Sequence, residues 1–168
     1  MNYQSAVGPL FLVASDQGLQ GVFFEQREVP IKPSSSSCPE AEGWLLLASA
    51  QIEEYFAGER IRFDIPLDLI GTPFQKEVWQ ELQNIPYGET RSYKSLAEKI
   101  KRPKAFRAVG TANGKNPLCL IIPCHRVIAT DGTLGGYSWG LPLKAQLLHL
   151  EKDTVARCNR LQGAMPTS

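Results

Sequence analysis

Three side chains able to do chemistry stand together at Cys124-His125-Arg126, directly after Pro123. A thiolate is a strong nucleophile and a thiol a weak one, so a working cysteine needs a base or a cation beside it. His125 has a suitable basicity. Adjacent residues on an extended chain point to opposite faces, so Cys124 and His125 communicate only across a turn or through a bridging water. A histidine base also needs a third group to orient it. Glu151, at the end of an apolar helical stretch (Leu143, Leu147, Leu148, Leu150), is an available carboxylate. On residue types alone two readings stand. Cys124 is either a nucleophile, as in a cysteine hydrolase that draws on the remote His149, or a small buried hydrophobe. Cys38, Cys119 and Cys158 read as packing residues. The chain has no CxxC, and the Cys119–Cys124 spacing is not a common zinc pattern, so no metal is expected.

Several elements must position these groups. The apolar run Leu118–Ile122 reads as a buried strand leading into the cysteine. Upstream, Ser92 caps a short helix with Tyr93, Leu96, Ala97 and Ile100 on one face. Pro103 starts a second, with Ala105, Ala108, Val109 and Ala112 in the same pattern and Gly114 near its end. The pair is a helix-turn-helix candidate. Before it, Thr72-Pro73-Phe74-Gln75 offers an N-cap, a proline at the first helical position and a capping-box glutamine. Phe74, Val78, Leu82 and Ile85 form the apolar face of that helix, which Pro86-Tyr87-Gly88 ends. In the N-terminal part, Phe11–Ala14 and Gly21–Phe24 read as a hairpin, 29–43 as a flexible loop, Trp44–Phe56 as a helix and Arg60–Ile65 as a strand. Residues 66–72 read as a linker, dividing the chain into domains 1–70 and 71–168, with a tail after 153 expected to be disordered.

Charge sharpens this division. The 168 residues carry a net charge of +1, which alone argues against a nucleic-acid partner. Residues 1–70 hold four basic and ten acidic side chains, net −6, whereas residues 71–168 hold fourteen and seven, net +7. The basic excess gathers at Arg91, Lys94, Lys99, Lys101, Arg102, Lys104, Arg107 and Lys115, with Glu98 the sole acid among them. A solvated helix face usually mixes signs, and an excess of this kind suits phosphate contacts on a duplex. No apolar run is long enough for a membrane span, and the N-terminus lacks a basic n-region, so a cytoplasmic protein with reduced thiols is expected.

Pro123-Cys124-His125-Arg126-Val127 resembles the active-site motif of the O6-alkylguanine-DNA alkyltransferases. The resemblance extends in order and spacing over residues 71–152. It runs through Gly71-Thr72-Pro73-Phe74, Ile85-Pro86-Tyr87-Gly88-Glu89, Ser92-Tyr93, Arg107-Ala108-Val109-Gly110, Asn116-Pro117, Gly135-Gly136-Tyr137 and Leu147 to Glu151. It implies an α/β chain. A small N-terminal α/β (ribonuclease H-like) domain would precede a mostly helical C-terminal domain, with a helix-turn-helix and a short strand carrying the active-site cysteine.

The resemblance also implies a reaction. An alkyl group moves from O6 of guanine, or more slowly O4 of thymine, to Cys124, and the thioether is not regenerated. Each molecule is then a single-turnover methylated-DNA–protein-cysteine methyltransferase that needs no cofactor. His125 corresponds to the base that acts through a water, Glu151 to its orienting carboxylate, and Asn116 to a brace for the turn. The target nucleotide must leave the stack, at a cost of roughly a few kcal/mol. Arg107 corresponds to the finger that fills its place, and Tyr93 to the residue that presses on the target phosphate and protonates N3. Ala105, Ala108, Ala112, Asn113 and Lys104 fall on the DNA-binding side, with the second helix expected in the minor groove of a duplex bound by a monomer. Tyr137 and Ser138 correspond to the pocket wall and a backbone donor, and Val127 to a carbonyl that accepts from the guanine amine. Trp139 stands where many relatives carry a small residue, so a pocket favouring methyl over benzyl adducts is expected.

Overall fold

The computed structural model describes residues 1–24 and 38–163. A small N-terminal α/β domain precedes a mostly helical C-terminal one. Short apolar runs in the first segment build an antiparallel meander in the order β1 (Asn2–Ser5), β2 (Gly8–Ala14), β3 (Leu19–Phe23). The expected hairpin is β2–β3, and a register shift at Val13/Ala14 bends it before the turn. Helix α1 (Pro39–Phe56) packs across this sheet and buries Ala48, Ile52 and Tyr55. Its N-terminus is capped by Cys38, whose Sγ accepts from Ala41 N at 3.3 Å. The loop expected over 29–43 therefore does not reach residue 43: residues 39–43 are the first turns of α1. Residues 29–37 of that expectation lie outside the described residues.

Arg60–Ile65 is not a strand. Its backbone finds a side chain instead of a neighbouring strand: Gln51 donates to Asp64 O at 2.8 Å and accepts from Asp64 N at 2.9 Å. Ladder pairing appears only at Leu67, which bridges Leu19 in parallel.

Helix α2 (Pro73–Leu82) begins with the full capping box, Thr72 and Gln75 each bonding the other's backbone. It closes at Leu82, and Asn84 and Ile85 continue as turns rather than helix. Trp79 is buried and donates to Ala112 O at 2.9 Å, which fastens α2 to α4. Strand β4 (Arg91–Ser92) leads into α3 (Tyr93–Lys99), where Ser92 Oγ accepts from Ser95 N. Helix α4 (Phe106–Gly114) starts three residues later than Pro103, because Lys101 turns into the left-handed region (φ 62°) and residues 102–105 form a further turn. Helices α2, α3 and α4 pack on one another.

The Leu118–Ile122 run is apolar because it is buried, not because it is a strand. Leu120 sits at φ 72°, the chain reverses, and Ile122 N returns to Leu118 O at 2.8 Å. Leu118 bridges Val22 of β3, joining the two halves of the molecule. Cys124–Arg126 is a single 3₁₀ turn. The short strand of this region, β5 (Val127–Ile128), follows the cysteine and pairs in parallel with β4. Helix α5 (Leu141–Gly163) continues ten residues past the point where a disordered tail was expected.

Candidate active site

The reversal at Leu120 delivers Cys124 to the base of a cavity, and Asn116 fixes that reversal. Its Nδ2 donates to Ile122 O at 2.8 Å and its Oδ1 accepts from Leu118 N at 2.9 Å, so one side chain spans the turn. Cys124 is 3% exposed. Its thiol pKa lies below the ordinary value. The neighbouring Cys119 thiol is the largest cause, and the Asn116 and Tyr137 side chains and the Lys144 charge add to it, against the opposing effect of burial. Cys119 is in turn held by Trp139 Nε1, which donates to its Sγ at 2.9 Å.

The 3₁₀ turn solves the problem of adjacent side chains by sending His125 into the interior, where it is fully buried. His125 Nε2 meets Glu151 Oε2 at 2.5 Å. Among the described residues its Nδ1 has no hydrogen-bond partner. With Nε2 donating to the carboxylate, Nδ1 is the basic nitrogen. Burial lowers the His125 pKa, against the pull of Glu151. Glu151 is buried too, and burial alone would push its carboxyl up. The His125 and Arg126 contacts overcome this and hold it down at about 2. Arg126 Nε donates to Glu151 Oε1 at 2.7 Å, and Nη1 to Ile85 O at 2.8 Å.

The cavity above Cys124 has a volume of about 200 Å³. Tyr93, Asn116, Cys119, Tyr137, Ser138 and Trp139 line it together with Gly110 and Gly114 of α4. Ser138 Oγ donates to Gly114 O at 2.7 Å, tying the wall to the helix. Tyr93 OH points to Gly136 O at 3.4 Å, and burial with the nearby Cys124 charge keeps it protonated. The Trp139 ring leans edge-on against Phe23 and Phe24, with centroids 6.4 and 5.8 Å away.

Three expected residues sit differently. Asn113 is buried and directs Nδ2 at Cys124 O from 3.4 Å, so it lines the cavity and is withdrawn from a DNA-facing surface. Ala112 is buried in the core while Ala108 is exposed and Ala105 half-buried, so these alanines do not form one groove face. The 3.6-residue repeat turns Arg107, Thr111 and Gly114 outward instead. Val127 is buried off the cavity, and its carbonyl accepts from Lys144 Nζ at 2.6 Å. Arg107 and Lys104 are exposed as expected.

Two family models divide the chain between them. Residues 2–69 match the ribonuclease-like domain of 6-O-methylguanine DNA methyltransferase, and residues 73–153 match its DNA binding domain. The methylated-DNA–protein-cysteine methyltransferase of Methanosarcina acetivorans is 48% identical over 149 residues, covering 89% of this chain and 95% of that one. That of Mycobacterium tuberculosis H37Rv is 47% identical, covering 89% of each. This chain belongs to the 6-O-methylguanine DNA methyltransferase family. Among solved structures, Mycobacterium tuberculosis OGT in complex with DNA superimposes with a TM-score of 0.80 at 44% identity, over 91% of this chain and 92% of that one. The Pyrococcus kodakaraensis O6-methylguanine-DNA methyltransferase gives 0.61 at 25% identity, over 90% and 96%.

Within this methyltransferase fold, Lys144 and Gly88 contribute to the site without a signal of that role in the sequence. Lys144 is fully buried and donates to three carbonyls, of Val127, Leu134 and Gly136. It thereby pins the cavity wall, and burial lowers its pKa to about 8 against the opposing effect of Cys124. Its position at the start of an amphipathic helix gave no sign of this. Gly88 reaches Glu151 Oε1 with its N–H at 3.1 Å from a left-handed backbone (φ 79°). The Pro-Tyr-Gly sequence signalled the turn but not its partner.

Proposed function

We propose that this chain repairs DNA by transferring an alkyl group from O6 of guanine to Cys124 Sγ, once per molecule. The observation that carries this reading is a thiol of lowered pKa at the base of a cavity of about 200 Å³, backed by a buried histidine–carboxylate pair. His125 Nδ1 takes the thiol proton through a water, and Glu151 steadies the imidazolium that forms. The thiolate attacks the alkyl carbon, the S–C bond forms, and the C–O6 bond breaks with its electron pair left on the base. Tyr93, kept protonated, supplies the proton at N3 of the leaving guanine. O4 of thymine is the slower substrate. The chemistry needs no cofactor or metal.

The partner is double-stranded DNA, bound by a monomer through α4 in the minor groove. The exposed basic side chains around α3 and α4 meet the phosphates, and Arg107 replaces the flipped nucleotide in the stack. Arg102 is partly neutralised by Glu77 at 3.3 Å and Arg91 by Glu89 at 3.4 Å, so Lys94, Lys99, Lys101, Lys104 and Lys115 carry more of this attraction. Among the described residues no helix is long and apolar enough to cross a membrane. We place the repair reaction in the cytoplasm, with domains at 1–70 and 71–168.

One experiment tests the reading. The protein is incubated with an O6-methylguanine duplex and mapped by mass spectrometry. A single methyl on Cys124, absent in Cys124→Ala with DNA binding retained, is the expected result. Binding with an intact lesion, or repeated turnover with no protein adduct, overturns it.

A further inference from the structure

Glu151 has a donor that no part of the C-terminal sequence supplies. Tyr55, near the end of α1 in the N-terminal domain, donates its hydroxyl to Glu151 Oε2 at 2.6 Å. Both side chains are fully buried. The accepting atom is the same oxygen that meets His125 Nε2. The other carboxylate oxygen is held by Gly88 N and Arg126 Nε. Tyr55 itself is fixed by rings on three sides: Phe56, Phe63 and Tyr87 lie with centroids 5.3, 5.5 and 6.1 Å away. Its hydroxyl cannot wander, and burial beside the carboxylate keeps it protonated and hence a donor.

We infer that Tyr55 is a positioning residue of the transfer reaction, through which the N-terminal domain sets the basicity of His125. This inference rests on the proposed function for its kinetic consequence only. The hydroxyl draws charge from Oε2 and so weakens that oxygen's hold on the imidazolium. His125 then stays neutral, and able to accept the thiol proton, at lower pH. The groups facing this pair are Glu151 and Lys144 from α5, Arg126 and Cys124 from the 3₁₀ turn, Tyr87 from the loop after α2, and Tyr55 from α1. Tyr55 alone in this set belongs to the N-terminal domain.

Tyr55→Phe removes the hydroxyl and keeps the ring. Gly88 and Arg126 still hold the carboxylate, so its place is retained while its charge density rises. The His125 pKa is expected to increase by about one pH unit, which is tenfold in the fraction of neutral base on the acid side. Single-turnover methyl transfer should therefore fall increasingly as pH drops, up to about tenfold below both pKa values, and match wild type near pH 8, with DNA binding unchanged. Ile52→Val, buried on the same helix but outside the ring cluster, should lower the melting temperature and leave the pH profile in place. A Tyr55→Phe profile superimposable on wild type, or a loss equal at every pH, overturns the inference. The two histidines of the chain, buried His125 and exposed His149, also permit direct NMR titration. That measurement stands even if wild type transfers no methyl, an outcome that would remove the proposed function alone. An unshifted His125 titration in Tyr55→Phe removes the inference.

Discussion

Replacing Arg126 by methionine tests how the buried charges are balanced. Methionine keeps the unbranched stem and deletes the guanidinium, so Glu151 loses its contacts to Nε and Nη2. In the folded protein the Glu151 carboxyl lies at about 2, against an ordinary 4.5. A depression of that size is worth about 3 kcal/mol, present above the unfolded-state value and lost as pH falls toward the folded one. Glu151 is fully buried, so solvent screening takes little from this figure. In Arg126→Met burial is opposed by fewer donors and the carboxyl rises toward or above its ordinary value. His125 still pulls the carboxyl down, so the variant should lose only part of this figure, up to about 3 kcal/mol near neutral pH. For a chain of this size that is a fall of up to roughly 6–12 °C in melting temperature. The deficit should shrink by about half near pH 3, where wild type is itself losing the contribution and the variant's carboxyl is already protonated. Urea unfolding of both proteins at neutral and acid pH measures this. A deficit under about 1 kcal/mol, or one that does not change with pH, refutes the reasoning.

Further outcomes concern the thiol, the pocket and the DNA face. Cys119→Ala removes the polar neighbour that most lowers the Cys124 thiol, so the thiol pKa should rise. Iodoacetamide alkylation of Cys124 near neutral pH should then slow, by up to about tenfold if the pKa climbs by one. Coincident alkylation–pH curves would deny the hydrogen bond any part. Trp139→Gly should raise the rate with benzyl-sized guanine adducts relative to methyl, measured by competition. An unchanged ratio would show that the indole does not limit the pocket. Arg107→Ala should slow repair of a lesion in duplex DNA more than reaction with the free alkylated base. Equal losses on both would argue against a role in the stack.

The parts of the fold written in short-range chemistry were legible. The capping box before α2, the Ser92 cap and the β2–β3 hairpin each follow from a few adjacent residues. Residue type and spacing also sufficed to nominate Cys124, His125 and Glu151, and the family resemblance added Asn116; the structure brings all four together. The misreadings share a cause. Leu118–Ile122 has the composition of a buried strand, but burial of a reversing loop selects the same residues, and the left-handed Leu120 leaves no trace in hydrophobicity. Arg60–Ile65 looked like a strand from its own residues. Whether it pairs depended on Gln51, a partner in another element. On α4, small residues suit both a groove and a core, so Ala112 and Ala108 could not be separated without knowing where α2 and α3 lie. Lys144 and Tyr55 were invisible for the same reason: a buried lysine or tyrosine is identified by the distant carbonyls or carboxylate it meets.

The contact from Tyr55 to Glu151 joins residues 96 positions apart, and Glu151 lies beyond both Cys124 and His125 in the chain. Contacts of such long range form late, after the local turns and helices have closed. Until that contact is made, His125 lacks the carboxylate that orients it. Arrival of α5 against α1 brings Glu151 to both His125 and Tyr55 in the same step. For a nucleophile that is consumed by one reaction, the consequence is that its base is complete only where the two domains have met.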